Sequence, residues 1–406
     1  MDLIFHTLPN GIRMVHLTTT SDVAYCGIII NAGSRDELLN EHGIAHFIEH
    51  MFFKGTAKRK AYHILSRLED VGGEINAYTT KEETAVYASF MKEHYPRAVD
   101  ILSDIVFSSA FPDAEIIKEK DVVIEEINSY FDNPAEYIFD EFEELIYKDQ
   151  PIGRNILGER KTIRHITRKK ILDFIGRNYS ASQIVFCSVG MISRREITRL
   201  FEKHFSHVPA GDSIKRQPVI YNYQPATVEK KKDTYQNHCI IGNTAFNLHD
   251  NRRIRLFILN NILGGQGLNS RLNLSLREKK GYAYNVESLY NPYTDTGLFA
   301  IYFGTDSRNL EKCISLTQKE LKILCAKPLG TVQLHKAKNQ IKGYLLRSYD
   351  NHENLMLSLG KSLLIFDRIE STEEIFRKID GVTAAGLTET ASEIFNESQL
   401  STLVYK

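Results

Sequence analysis

No Cys-x-x-Cys pair occurs in this sequence, and its five cysteines (Cys26, Cys187, Cys239, Cys313 and Cys325) are odd in number and widely spaced. That argues against a disulfide scaffold. Four of the five sit among apolar neighbours, as in Ile184-Val185-Phe186-Cys187, which reads as buried, reduced thiol in a cytosolic setting. Neither sign of charge prevails: 51 Lys plus Arg face 51 Asp plus Glu. The basic run Lys230–Lys232 and the pair Lys279-Lys280 are short and read as solvated surface, so no nucleic acid partner is expected. The longest apolar stretch, around Val23–Ile30, is far too short to span a bilayer. The first ten residues lack the basic start and apolar core of a signal peptide. No membrane partner is expected, and the expected location is cytoplasmic. No low-complexity tract appears.

What is present fits a globular chain, with 42% hydrophobic and 25% charged residues over a length of 406. That length allows two or more domains, each with its own core. Strands are expected at Gly11–Leu17 and Val23–Asn31, with a strand pair over Glu74–Met91 turning near Lys81-Glu82. Helices are expected at His42–Phe53, stopped by Lys54-Gly55, and at Tyr62–Val71, His94–Ser109, Asp113–Tyr130 and Pro134–Lys148. A helix at Arg168–Tyr179, a strand at Gln183–Val189 and a helix at Arg194–Phe205 follow. Three prolines and little apolar content then suggest a linker at 209–225. The second half restarts with strands at Thr227–Lys232 and His238–Phe246 and a helix at Asp250–Leu263. Beyond the Gly264-Gly265-Gln266-Gly267 turn come a helix at Ser270–Lys279 and strands from Tyr284 and at Thr296–Thr305. A helix at Arg308–Cys325 and one long helical run over Gly330–Phe366 complete the pattern. The order of elements echoes the first half. The expected fold class is α+β, with two homologous-looking domains at 1–208 and 226–406, each an antiparallel-rich sheet covered by helices.

The chemistry is concentrated in Glu41–Phe53. His46-x-x-Glu49-His50 puts two imidazoles at i and i+4 of one helix, about 40° apart around the axis and roughly 6 Å along it, so both reach one ion. Catalytic zinc takes about three protein ligands and leaves a position for water. Glu49 points to the same side, where it accepts a proton from that water. The order is that of H-E-x-x-H reversed. Two histidines and a glutamate amid Phe47, Ile48, Met51 and Phe52 are costly to bury without a charge to satisfy them. In the helix Asp113–Tyr130, Glu119 and Glu126 lie seven residues apart on a face shared with Val122, Val123 and Tyr130. Glu125 instead shares its side with Lys118 and Asp121. A carboxylate on an apolar stripe needs a partner, which makes Glu126 the candidate third ligand and Glu119 a candidate for orienting a histidine or the ligand helix.

These segments, together with Lys54-Gly55-Thr56, Gly72–Thr79 and Val122–Ile127, resemble the pitrilysin-type (inverzincin) zinc metallopeptidases, in size the mitochondrial-processing-peptidase-like subgroup. In the second half, Ser270-Arg271-Leu272 and Arg277-Glu278-Lys279-Lys280-Gly281-Tyr282-Ala283-Tyr284 are similar to that family's S-R-L and R-E-K-x-G-x-A-Y signature. The resemblance implies Zn2+ on His46, His50 and Glu126, with Glu49 as general base in direct water attack on a peptide bond. It also implies that Tyr284 donates to the oxyanion and that Arg277 holds substrate backbone. By their residue types alone, Arg277 reads equally well as surface at a helix end and Tyr284 as core. Asn76, Ala77, Tyr78 and Thr79 resemble the family's edge strand, which takes an extended peptide as an added strand. His42 reads as a helix-start or supporting residue, not a ligand. The implied activity is a metalloendopeptidase acting on peptides or unfolded chains inside a closed chamber. The resemblance further implies a homodimer that forms that chamber, the zinc domain of one subunit facing the Arg277/Tyr284 domain of its mate; a heterodimer with a related chain is the alternative. Competing readings are a dedicated leader-peptide protease and a non-catalytic scaffold subunit.

Overall fold

The structure, a computed structural model, describes residues 2–211, 216–220, 222–232 and 234–406. The first half runs β1 (Leu3–Thr7), β2 (Arg13–Thr18), β3 (Val23–Ile30), α1 (Ile44–Met51), α2 (Ala61–Glu69), β4 (Glu74–Thr79) and β5 (Thr84–Met91). It continues with α3 (Tyr95–Phe107), α4 (Asp113–Phe131), α5 (Pro134–Ile146), α6 (Arg160–Arg164), α7 (Arg168–Asn178), β6 (Ile184–Gly190) and α8 (Arg194–Phe205). The second half opens with β7 (Thr227–Lys230), β8 (Asn237–Thr244), α9 (Arg253–Gly264), a π-helical turn (Asn273–Glu278), β9 (Ala283–Pro292) and β10 (Gly297–Thr305). It closes with α10 (Leu310–Ala326), α11 (Thr331–Asp350), α12 (His352–Phe366), α13 (Thr372–Asp380), α14 (Ala384–Ile394) and β11 (Ser401–Tyr405).

Among the described residues the strands form two sheets, ordered β1-β2-β6-β3-β5-β4 and β7-β11-β8-β10-β9. Apart from the extra edge strand β1, the two orders are the same, with β7 standing for β2, β11 for β6, β8 for β3, β10 for β5 and β9 for β4. Each sheet has one parallel pair, β2 with β6 and β7 with β11, and is otherwise antiparallel. The α+β reading with two homologous domains holds at the level of strand order.

The central strands of each sheet are buried on both faces, which is why β3, β6 and β10 read as continuous apolar runs instead of alternating ones. In β3, Cys26, Ile28 and Ile30 face a core built with α1, α3 and α8, whereas Ile29 faces the opposite way. In β6, Phe186 shares the first core, and Val185, Cys187 and Val189 share the second. That second face is covered by Leu355, Met356, Leu359 and Leu363 of α12. Gly360 is required there, because a Cβ would lie 2.6 Å from Ile29 Cδ1 and 2.8 Å from Cys187 Sγ. The other sheet repeats the scheme. Phe299, Ile301 and Phe303 of β10 join the core of α9, α10 and α14, while Leu298, Ala300 and Tyr302 face Ile138, Phe142 and Ile146 of α5.

The chain therefore divides into compact units that do not follow sequence order. One holds Met1–Asn128, Arg154–Gln217 and Arg347–Ile369; the other holds Ser129–Gly153, Pro218–Leu346 and Glu370–Lys406. The division expected at 1–208 and 226–406 places α5 and α12 in the opposite units, because each sheet draws the cover of its second face from the other half of the chain. The linker expected at 209–225 includes residues 212–215 and Tyr221, which lie outside the described residues. The helical run over Gly330–Phe366 is two helices. It breaks at Asn351, whose side-chain oxygen accepts from Asn354 N at 3.1 Å and starts α12 afresh. Among the described residues no helix is long and apolar enough to cross a membrane.

Candidate metal centre

Helix α1 is eight residues long and follows the cap residue Gly43, which has φ +91°. Its face toward the sheet is fixed by Ile44, Phe47, Ile48 and Met51, all fully buried. That burial leaves His46, Glu49 and His50 on the side facing α4 and β4. The ring centroids of His46 and His50 lie 4.6 Å apart. His46 Nε2 is 3.7 Å from Glu126 Oε1, and His50 Nε2 is 3.4 Å from Glu126 Oε2. One ligand atom from each of the three residues falls within 4.8 Å of the others. Two imidazoles and a carboxylate converging through Nε2 and Oε atoms are a donor set suited to catalytic zinc. The buried polar atoms agree: His46 Nδ1 and Glu49 Oε2 have no hydrogen-bond partner, an arrangement costly to keep without a function.

Glu119 supports this set from behind. His50 Nδ1 donates to Glu119 Oε1 at 2.8 Å, and Lys54 Nζ reaches Glu119 Oε2 at 2.6 Å. A ligating histidine whose second ring nitrogen binds a carboxylate is held in one tautomer and orientation. Glu119 and Glu126 do not share the one buried apolar face that their spacing predicted. Glu119 is only 3% exposed, but Val122 is open to solvent and the Glu126 side chain is 42% exposed. The apolar stripe thus bends away before Glu126, and what brings that carboxylate to the histidines is its place on α4 opposite α1, not burial among hydrophobic residues.

Charge is unevenly shared. Burial, helped by His50, pushes His46 down to about 4. Burial also works against protonated His50, but hydrogen bonds to Glu119 and Glu126 and their charges prevail and hold it up at about 9. The His50 hydrogen bond lowers Glu126. Burial raises Glu119, yet its bonds to His50 and Lys54 bring it below the usual glutamate value. Glu49 moves the other way: burial raises its carboxyl, opposed by the neighbouring Thr79 hydroxyl and by His50.

Among the described residues β4 is the edge of its sheet and pairs only with β5. Thr80 N donates to Glu83 O at 2.8 Å in the turn, so by the antiparallel alternation Tyr78 and Asn76 point their backbone groups at β5. Ala77 and Thr79 point theirs outward, to the free edge. The side chains alternate as well: Ala77 packs with the core beneath α1, whereas Tyr78 packs with the α12 face and donates to Glu83 Oε1 at 3.0 Å. The four residues proposed from sequence therefore do not act alike. Arg277 and Tyr284 belong to the other unit. Arg277 is the penultimate residue of the π-helical turn, with a half-exposed side chain 3.8 Å from Glu278. Tyr284 is the second residue of β9 and is 63% exposed, which removes the core reading. His42 is buried, with Nε2 2.7 Å from Asn155 O and no place among the ligands.

Sequence reasoning missed two supports. Lys54 was legible only as part of a helix stop, since nothing local ties it to Glu119. Glu37 accepts from Gly43 N and Ala45 N at the start of α1, and no capping pattern announces it.

Comparison with known proteins agrees with this centre. The insulinase family (peptidase family M16) matches residues 13–160, and the peptidase M16 inactive domain matches residues 165–341. A Rickettsia bellii protein named as an uncharacterized zinc protease is 34% identical over 399 residues, covering 98% of this chain and 96% of its own. The mitochondrial-processing peptidase subunit beta of Saccharomyces cerevisiae is 32% identical over 396 residues, covering 93% and 85%. Among solved structures, a protease from Helicobacter pylori has the same fold, with a TM-score of 0.90 at 22% identity and coverage of 100% and 99%. Identity above 30% along nearly the full length of both chains, together with the two domain matches, shows that this chain belongs to peptidase family M16, the pitrilysin-type zinc metallopeptidases.

Proposed function

We propose that the protein is an endopeptidase that cuts peptides or unfolded polypeptides in a closed chamber formed by two copies of itself, in the cytoplasm. The observation that carries this reading is the convergence of His46, His50 and Glu126 within 4.8 Å beside the buried carboxyl of Glu49. Zinc held by those three side chains would supply a Lewis acid and a water of lowered pKa at the peptide carbonyl. Glu49, its carboxyl raised by burial, takes the proton of the attacking water and hands it to the leaving amine. Glu119 keeps the His50 ring aimed. An extended peptide adds to the free edge of β4 through the outward N–H and C=O groups of Ala77 and Thr79, so backbone is read more than side chains. Tyr284 donates to the developing oxyanion and Arg277 holds substrate backbone, both supplied by the second copy. The unpaired, mostly buried cysteines suit a reducing compartment.

A second reading is favoured by the likeness to the yeast mitochondrial-processing peptidase subunit: removal of a leader from one class of product, in a heterodimer with a related chain. Cleavage of a mixed peptide library, with and without chelator and alongside the mass of the assembly, separates the two. Many unrelated cuts by a dimer of this chain alone are expected. One sharp consensus supports the second reading. Pure protein with neither metal nor turnover would point to a scaffold.

A further inference from the structure

Glu37 is a buried acid that the chemistry above leaves unused. It is 4% exposed, and its two carboxyl oxygens accept one backbone N–H each, Oε2 from Gly43 and Oε1 from Ala45, both at 2.9 Å. First-turn N–H groups have no acceptor within their own helix. The residue at the cap position, Gly43, has no side chain to offer. A larger residue does not fit, because a Cβ there would lie 2.7 Å from Leu157 O and 2.8 Å from Gly158 Cα, at φ +91°. The cap must therefore come from elsewhere in the chain.

The place it acts on is the one that matters for the centre. Ala45 directly precedes His46, and Glu49 and His50 follow within one turn. In a helix of only eight residues, a tilt at the first turn displaces all three side chains together. The same loop also holds the substrate edge. Ser34 N donates to Thr80 O at 3.1 Å and Arg35 N to Lys81 O at 2.8 Å, in the turn that ends β4. Arg154 links the two, donating from Nη1 to Glu37 O at 3.3 Å while its own carbonyl accepts from Lys81 Nζ.

We propose that Glu37 is a positioning residue that sets the aim of His46, Glu49 and His50 by fixing the first turn of α1, and that its loop holds this turn in register with the end of β4. Glu37 touches neither metal nor substrate, and the inference rests on the zinc-peptidase reading. Glu41 provides the control. It is equally buried and lies in the same loop, but its carboxylate accepts from Leu38 N and Arg177 and not from the first turn of α1.

The test compares wild type, Glu37→Gln, Glu37→Asp and Glu41→Gln by zinc affinity, by the visible spectrum of the cobalt-substituted protein, and by kcat and KM on an unstructured peptide. Glutamine keeps the volume but replaces one acceptor by a donor, leaving one N–H facing an NH2. Glu37→Gln is expected to weaken zinc binding roughly tenfold and to lower kcat roughly tenfold or more. KM stays within about twofold, and the cobalt spectrum shifts. Glu37→Asp recovers part of each loss, and Glu41→Gln leaves all of them near wild type. Wild-type zinc affinity and kcat in Glu37→Gln overturn the proposal, as do equal losses in Glu41→Gln. Should Glu37→Gln fail to fold, Glu37→Asp decides: an unaltered cobalt spectrum and kcat overturn it. A wild-type protein that neither binds zinc nor cleaves peptide removes the peptidase reading itself, a different failure.

Discussion

His50 is the side chain on which the charge of the centre turns. In the metal-free protein Glu119 and Glu126 hold its proton up to about 9, against an ordinary value of 6.5. A raised histidine adds stability that is complete below about pH 6.5 and is lost as the pH rises through about 9. Zinc needs the neutral ring, so zinc uptake between those limits releases about one proton and apparent affinity falls as the pH drops. Calorimetric titration with zinc in two buffers of different ionisation enthalpy, near pH 7.5, measures that proton. No buffer dependence would mean that His50 is not a ligand or is not charged beforehand. Glu49 is the complementary case: in the proposed mechanism it acts on the reaction without holding the metal. Glu49→Gln is expected to lower kcat by roughly a hundredfold or more while bound zinc, measured by metal analysis, stays at the wild-type level. A wild-type rate would remove Glu49 from its role. The His46, Glu49 and His50 pattern was legible because five consecutive residues of helix fix it. Glu119's bond to His50 was legible only as a role without a partner, since sequence periodicity says which residues share a face and not which face meets another helix.

At the level of elements, α1 and β4 place His46, Glu49 and His50 beside an open strand edge. The backbone alternation set by Thr80 and Glu83 makes a specific prediction. Ala77 directs its N–H away from β5, so Ala77→Pro removes a donor from the free edge and leaves the β4–β5 ladder intact. KM for an unstructured peptide should rise roughly tenfold or more, with zinc content and melting temperature near wild type. An unchanged KM would rule out strand addition at this edge. Strand existence was readable from β-branched runs, whereas the edge position of Glu74–Thr79 came from the family resemblance and not from the residue pattern. Val23–Ile30 and Glu74–Thr79 both read as strands, and only the pairing order makes one central and the other the rim. The break at Asn351 was missed for a related reason: helix-forming residues continue on both sides of it, and one side-chain cap ends the run.

At the scale of the whole molecule, the exchange of cover helices decides what can stand alone. The segment 1–208 contains the complete first sheet, but not α12, which seals Val15, Ile29, Val185 and Cys187. Produced by itself, that segment is expected to bind a hydrophobic dye, to lack a cooperative thermal transition and to retain zinc poorly. A cooperative melt with full zinc binding would show the cover to be dispensable. The sequence by itself determined the metal-binding pattern, the order of most strands and helices, and the repetition between halves, because each of these is written in spacings of a few residues. Only the tertiary structure decided that α5 and α12 close sheets from the opposite half of the chain, that Glu119 rather than Glu126 is the deeply buried acid, and that Glu37 holds the first turn of α1. Those depend on which surfaces meet across long stretches of chain, where apolar area and backbone hydrogen-bond demand choose partners that local periodicity does not specify.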